Sequence, residues 1–202
     1  MNEASIVEEI GVSCRCGKLT GSISATAKER RNHLLCYCND CQAFGRFVGA
    51  EGTLDEWGGT DIVQLTCADV EITSGIEHLA CVQLSEGGLH RWYAGCCNTP
   101  IGNAPGPGLP FIGVIHDCLQ PATAIAETFG PVSMVAFPKE AVGEEKPSGR
   151  GLFVGIIRFI GLALGAKLRG DGRRHPFFDT AGNPRVTPRV LSEEERAPYY
   201  QA

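Results

Sequence analysis

Five of the ten cysteines in this 202-residue sequence lie in two short clusters. The first is Cys14-Arg15-Cys16-Gly17, and the second is Cys36-Tyr37-Cys38-Asn39-Asp40-Cys41. Such spacing lets one turn present two or three sulfur atoms to the same point, and Gly17 permits the backbone to bend there. Thiolates suit zinc, a borderline-soft ion that prefers tetrahedral coordination with Zn–S bonds of about 2.3 Å. The clusters therefore predict metal ligands rather than disulfide partners.

The second cluster predicts a particular kind of zinc site. Three cysteines from one short loop can fill three corners of a tetrahedron and leave the fourth open, which is the arrangement of catalytic zinc sites. The alternative is a single structural zinc that all five cysteines share. We therefore expect one to two zinc ions per chain.

Composition and charge limit the functional classes. The formal net charge of -5 argues against a dedicated nucleic-acid binder, which normally carries a basic surface. Residues 1–9 are acidic and lack the basic start and apolar run of a signal peptide, so we expect a cytoplasmic protein with reduced thiols. Secretion with five disulfides is the competing interpretation, but the two Cys-x-Cys pairs are awkward to bridge separately.

A third cysteine segment, Arg91-Trp92-Tyr93-Ala94-Gly95-Cys96-Cys97-Asn98-Thr99-Pro100, completes a recognisable series. The series resembles the glutathione-dependent formaldehyde-activating enzyme family, whose pattern is Cys-x-Cys-Gly, Cys-x-Cys-x-x-Cys and Phe-Cys-x-x-Cys-Gly-Thr/Ser-Pro. The resemblance covers roughly residues 10–105, and the first two motifs agree in identity, order and spacing. It implies a β-tent fold of stacked antiparallel sheets, a structural zinc held by the first and third motifs, and a catalytic-type zinc held by the second.

The third segment departs from the family pattern. Ala94 stands where the family has its first cysteine, and Cys97 aligns with the second. Cys96 is the nearest substitute, but neighbouring residues on a strand point to opposite faces. Which of Cys96 and Cys97 binds metal is left open, and no catalytic residue is assigned. The candidate metal ligands are Cys14, Cys16, Cys36, Cys38, Cys41, Cys96 and Cys97.

The strand pattern predicts a mostly β fold from about residue 10 to 137. Short runs with polar and apolar residues interleaved are separated by turn signals, and no run before Pro138 shows sustained helical periodicity. The predicted strands are 18–24, 61–67, 69–73, 78–84 and 111–115. Residues 1–137 carry 7 basic and 15 acidic residues, whereas residues 138–202 carry 11 basic and 8 acidic, and this change of sign predicts a domain boundary near Pro138.

The C-terminal extension, residues 138–202, predicts a linker, an amphipathic helix at about 152–168 and a Pro-rich extended strap from 173. The predicted helix places six apolar residues on one face, with Arg158 and Arg169 opposite, and it is too short to span a bilayer. We expect this face to be buried on the β domain. A homodimer contact or a membrane-surface helix is the alternative, because Phe159 and Leu162 lie off this face. The six residues are Phe153, Ile156, Ile157, Ile160, Leu164 and Leu168.

Several other residues carry alternative interpretations. His116, His33 and His90 are candidates for a fourth metal ligand or an acid–base group, although each is also typical of a structural histidine. Asp40 could orient a metal-bound water or merely form a turn. Gln42 and Arg46 could hold an anionic substrate. Cys67, Cys81 and Cys118 lie in apolar contexts and are predicted to be small core residues.

Together these features predict a zinc-dependent enzyme that resembles a carbon–sulfur lyase and acts on a small thiol or a thiol–aldehyde adduct. The alternative is a non-enzymatic zinc-binding module that presents its surface or tail helix to a protein partner. A partly open second site favours the enzyme, and the absent cysteine at position 94 favours the module.

Overall fold

The computed structural model of the chain describes residues 10–49, 52–122 and 124–201, so the acidic N-terminal segment lies outside the described residues. Within them the chain forms twelve strands and four α-helices. The strands are Gly11–Ser13 (β1), Thr20–Ile23 (β2), Asn32–Cys36 (β3), Thr60–Thr66 (β4), Val70–Ser74 (β5), Leu79–Gln83 (β6), His90–Ala94 (β7), Thr99–Ala104 (β8), Phe111–Ile115 (β9), Leu119–Gln120 (β10), Met134–Ala136 (β11) and Arg189–Val190 (β12). The helices are Asn39–Val48 (α1), Ala124–Phe129 (α2), Leu152–Arg169 (α3) and Glu193–Tyr200 (α4).

The strands form two sheets, which confirms the mostly β fold. One sheet has the strand order β10-β1-β2-β5 and is antiparallel throughout. The other has the order β11-β3-β4-β9-β8-β7-β6-β12, and only its two edge pairs, β11 with β3 and β12 with β6, are parallel. The parallel edges differ from the expected antiparallel pattern. They arise because each edge strand returns after a long stretch of chain, as parallel pairing requires.

The main hydrophobic core joins both sheets and part of the C-terminal extension. Buried side chains from the four-stranded sheet, such as Val12, lie in one cluster with Leu65 and Trp92 of the eight-stranded sheet. The ring of Trp92 stacks on Phe177 with centroids 4.7 Å apart. The segment that the sequence predicts as a strap thus supplies core residues, and the division of the chain at Pro138 stays a prediction.

Two helices precede residue 138, so the interpretation that no run there has sustained helical periodicity is wrong for α1. The longer one, α1, begins directly in the second cysteine cluster, with Cys38 as its N-cap residue, and ends at Gly49 in a left-handed conformation. Its buried face includes Cys41, Phe44 and Val48, which repeat at the spacing of an amphipathic helix. The second cysteine cluster and the start of α1 occupy the same residues, so the metal-ligand spacing and the helical periodicity overlap in the sequence.

The C-terminal extension contains the predicted helix as α3, but the predicted burial of its apolar face on the β domain is wrong. The helix docks through Gly155, Phe159, Leu162 and Ala166, while the six apolar residues of the predicted face point outward and are exposed. This side of the helix packs on the sheet because Gly155 and Ala166 are small enough to let the helix approach closely. Further along, the strap contains α4, whose N-terminus is closed by a capping box between Ser192 and Glu195.

The four helices include none that is both long and apolar enough to cross a membrane, as far as the described residues go.

Candidate metal centres

Four thiols form the first centre, and they come from two distant turns. Cys14 and Cys16 follow β1, and Cys96 and Cys97 lie between β7 and β8. The sulfur of Cys16 lies 3.5 Å from that of Cys14 and 3.3 Å from that of Cys96, and the Cys96 and Cys97 sulfurs are 3.9 Å apart. All four cysteines are free thiols. The structure therefore brings together every cysteine that the sequence suggests for this site.

Both Cys96 and Cys97 belong to the first centre, because neither residue lies on a strand. Residues 95–98 form a turn, and Asn98 takes a left-handed conformation with φ 55°. Strand alternation therefore does not apply, and both sulfurs face the same point. The amide of Asn98 donates to the carbonyl of Ala94 at 2.7 Å, which closes the turn. Asn tolerates this backbone conformation better than most residues do.

Polar contacts hold the two turns of the first centre together. The backbone amide of Arg15 donates to Thr99 Oγ1 at 3.0 Å, and its guanidinium donates to the carbonyl of Cys97 at 3.2 Å. Burial tends to raise the pKa of Cys97, but its hydrogen bond with Thr99 and nearby amides outweigh this and lower the pKa to about 6. Thr99 therefore helps to keep one thiolate available for a metal.

Three thiols form the second centre at the N-terminus of α1. Cys36 ends β3, Cys38 caps α1, and Cys41 lies in its first turn. The Cys36 and Cys38 sulfurs are 3.4 Å apart, and the three sulfurs lie within 4.8 Å of one another. The positive end of the α1 dipole favours thiolates at this position. Among the described residues, no fourth cysteine, histidine or carboxylate joins this group.

Arg91 lies beside the second centre and is almost fully buried. Its guanidinium approaches the sulfur of Cys41 at 3.9 Å, the carboxylate of Asp40 at 3.4 Å and the amide oxygen of Asn103 at 3.4 Å. The pKa of Cys41 is lowered well below its ordinary value, because the Cys36 and Cys38 thiols hydrogen-bond to its sulfur and the Arg91 cation is near. The site therefore stabilises negative charge on sulfur.

A cavity of about 620 Å³ opens onto the second centre. All three sulfur-bearing residues line it, together with polar residues that include Arg91, Asn103 and Tyr200. The remaining lining is largely apolar and includes Phe111 and Met134. Concave, mainly apolar sites with a few convergent polar groups are typical of small-molecule binding.

One residue of the cavity rim, Phe137, carries backbone strain. It is half-exposed and has φ 56°, a left-handed conformation that is unfavourable for a bulky residue. Strain of this kind concentrates at functional sites because the surrounding structure must hold it in place.

The other candidate residues lie away from the metal centres or have structural partners. His116 contacts the carbonyls of Gly52 and Asp61, and His33 bridges the Gly130 carbonyl and the Asp61 carboxylate. His90 packs among aromatic rings. Gln42 and Arg46 bind backbone carbonyls and each other, so neither is available to a substrate. Fully buried, as predicted, are Cys67, Cys81 and Cys118.

Sequence reasoning missed most of the polar residues of the cavity, and Arg91, Asn103 and Tyr200 are among them. Tyr200 donates to the carboxylate of Asp40 at 2.7 Å, so Asp40 anchors α4 as well as Arg91. Arg91 and Asn103 are partners across β7 and β8. The only signal for Arg91 and Asn103 in the sequence is that each is a polar residue in a strand that must be buried.

Comparison with other proteins gives limited similarity to solved structures and none to curated proteins. The chain is similar to a Rhodobacter sphaeroides protein whose crystal structure was solved as a structural genomics target. The similarity has 17% identity and a TM-score of 0.38, and it covers 55% of this chain and 88% of the other. No curated protein matches the chain.

The resemblance to the formaldehyde-activating enzymes rests on the cysteine motifs, and no comparison supports it. The family model that does match spans residues 6–186 and is described as a family of unknown function, DUF6151. Because this match covers most of the sequence, the chain belongs to the DUF6151 family.

Proposed function

We propose that the chain binds zinc at both centres, and that the second centre is an open site for a small thiol or a thiol–aldehyde adduct, as in carbon–sulfur lyases. One observation carries the proposal: three thiols face a cavity of about 620 Å³, whereas the other centre already has four. Four thiolates typically close a structural zinc site, and three protein ligands leave a position free.

The sulfur positions fit the proposed ion. Tetrahedral coordination with Zn–S bonds of about 2.3 Å places neighbouring sulfurs about 3.8 Å apart. The close sulfur pairs of the two centres are 3.3 Å to 3.9 Å apart, and all sulfurs of each centre lie within 4.8 Å of one another. Zinc would supply a Lewis acid at the second centre. An all-sulfur donor set also favours zinc over magnesium or calcium, which prefer oxygen.

The residues of the cavity have roles that follow from their contacts. Arg91 provides a buried positive charge beside sulfur and stabilises anionic species at this end of the cavity. Asn103 holds the guanidinium, and Asp40 balances its charge from the solvent side. The apolar side chains of the lining lower the local dielectric, and a lower dielectric strengthens these electrostatic interactions.

Thiol binding tests the proposal directly. Cobalt replaces zinc in thiolate sites, and its absorption reports the ligands. We expect 2-mercaptoethanol or glutathione to change the spectrum of the cobalt-loaded protein and to release a proton on binding. Cys38→Ser is expected to abolish the response. The control Cys81→Ala, in the core and outside both centres, is expected to retain it. A wild-type spectrum that stays constant at saturating thiol would show a closed site.

A non-enzymatic zinc module is the second candidate, and one observation favours it. The proton-carrying groups on the described cavity wall are already engaged. Tyr200 and Asp40 bind each other at 2.7 Å, and Glu140 accepts the amide of Asn39 at 2.7 Å. No histidine lines the cavity in the described part of the chain. The thiol titration separates the two candidates, because a module with closed sites does not respond.

A further inference from the structure

Helix α3 presents a wide apolar face to the outside of the protein. Six large side chains on this face are between 46% and 81% exposed, and they lie opposite the side that docks on the sheet. We call these six residues the outer face: Phe153, Ile156, Ile157, Ile160, Leu164 and Leu168. Monomeric proteins rarely leave so continuous an apolar patch uncovered.

The outer face is not required to hold the helix in place. On the docked side, Gly155 packs against Met134, and the ring of Phe159 meets that of Phe111 at 4.7 Å. The side chain of Asn32 donates to the Gly155 carbonyl at 3.2 Å. The apolar residues on the other side therefore have a different role from stabilising the fold.

The outer face lies within a basic segment of an acidic protein. Residues 150–174 contain six basic residues and one acidic residue, whereas the whole chain has a net charge of -5. The acidic residue, Asp171, is buried and paired with Arg169 at 2.9 Å. A helix that combines an apolar face with flanking Lys and Arg residues is typical of segments that lie on anionic membranes.

A groove of about 590 Å³ beside α3 adds to this positive charge. Four arginines line it, against one carboxylate, that of Glu29. Two of the arginines have carboxylate partners, because Arg30 pairs with Asp69 and Arg169 pairs with Asp171. The other two are Arg31, which binds backbone carbonyls, and Arg158.

Arg158 is the residue of the groove that is free to bind an anion. It is exposed, and within residues 10–49, 52–122 and 124–201 it forms no ion pair or hydrogen bond. It also lies on α3 itself, between the docked side and the outer face. An arginine in this position can reach a phosphate while the apolar side chains next to it enter a lipid layer.

We propose that α3 lies on the surface of a membrane that contains anionic phospholipids. The outer face enters the boundary between headgroups and acyl chains, and Arg158 with its groove binds lipid phosphate. The helix lies along the surface rather than across the bilayer, consistent with the lack of a spanning helix in the described chain.

Charge argues for a membrane rather than a second copy of the chain. In a two-fold dimer the same patch meets itself, so the outer faces would bring two segments of net charge +5 together. An anionic lipid surface instead attracts each basic residue near it.

Vesicle flotation tests the proposal with the full-length protein. We expect binding to vesicles of phosphatidylcholine with one-third phosphatidylglycerol, and at least about tenfold weaker binding to phosphatidylcholine alone. The double variant Phe153→Ser/Ile160→Ser is expected to weaken binding about tenfold or more, and Arg158→Glu to weaken it and reduce its salt dependence. The matched control is Ile76→Ser, which changes an exposed apolar residue outside α3 and is expected to bind like the wild type.

The variants change exposed residues, so thermal unfolding is expected to match the wild type. If the double variant does not fold, Leu164→Ser provides the same test with one substitution. Equal binding by the outer-face variants and the wild type would overturn the proposal, and so would equal binding to both vesicle types. A wild-type dimer that the outer-face variants dissociate, with no vesicle binding, would assign the face to a second copy.

Discussion

The buried guanidinium of Arg91 lies 3.9 Å from the sulfur of Cys41, although the two residues are 50 positions apart in the chain. Cys41 belongs to α1 and Arg91 to β7, so the contact exists only after the helix packs on the sheet. Three thiolates around a divalent ion carry one excess negative charge, and Arg91 is placed to balance it. This pairing gives Arg91 a reason to be buried, since buried charges require partners.

Arg91→Met is expected to weaken metal binding at the second centre about ten- to a hundredfold, because residues that support metal ligands typically contribute that much. Methionine keeps most of the packing of Arg91 against Phe44. Competition with a chelator would show one weakened and one unchanged metal equivalent. Arg46→Met, which changes an α1 arginine outside the centre, is the control. Equal weakening at both centres would contradict the assigned role.

Cys16→Ser is expected to lower the thermal stability of the protein, whereas Cys38→Ser is expected to lower it less. The first centre ties the turn after β1 to the turn after β7, and these strands belong to different sheets. Metal-binding energy at such a centre is folding energy. Calorimetry of both variants, with metal content measured in parallel, checks this. Chelator treatment is expected to reproduce the Cys16→Ser effect, and unchanged stability with unchanged metal content would contradict it.

Gly155→Val is expected to destabilise the protein by about 1–3 kcal/mol, because the added side chain overpacks the contact between α3 and the sheet. A Cβ at this position clashes with Met134. Gly161→Ala in the same helix is the control, since a Cβ there has no atom within 4 Å among the described residues. It is expected to be neutral or to stabilise by up to about 1 kcal/mol. Urea unfolding of both variants measures the difference, and a neutral Gly155→Val would show that α3 docks differently.

Protonation of His175 is expected to destabilise the protein as the pH falls from about 6.5 to about 4. Burial, followed by the nearby Arg185 and His90 charges, lowers the pKa of His175 to about 4. As the pH falls, the unfolded chain takes up this proton before the folded chain does. The free energy of unfolding therefore keeps its full value above about pH 6.5 and falls by up to about 3 kcal/mol between about pH 6.5 and about pH 4.

His175→Gln measures this contribution. In the wild type, the backbone amide of Phe177 donates to the His175 ring at 3.2 Å, and the glutamine side-chain oxygen keeps an acceptor for it. Denaturation at pH 7 and pH 5 with saturating metal is expected to show a smaller pH effect in this variant than in the wild type. His78→Gln, at a partly exposed site, should behave like the wild type. Identical pH effects in all three proteins would rule out the role of His175.

Five of the twelve strands in the described residues, β2, β4, β5, β6 and β9, and helix α3 could be predicted from the sequence because their signals are local. Predicted strands 61–67 and 111–115 correspond to β4 and β9 almost residue for residue, and predicted helix 152–168 corresponds to α3. Each depends on turn residues at its ends and on a periodicity within one segment. The two tight cysteine clusters are local in the same sense, since their sulfurs converge through one turn or one helix start.

Tertiary structure decided what local signals could not. Cys96 and Cys97 both join the first centre because a turn, rather than a strand, carries them to Cys14 and Cys16. Arg91 became a site residue only through the packing of β7 against α1. The sequence predicted that α3 is amphipathic but not which side docks. That choice depends on Met134 and Phe111, whose shapes accept Gly155 and Phe159 and leave the more apolar face outside. Periodicity reports which side chains share a face, whereas complementary packing decides which face is buried.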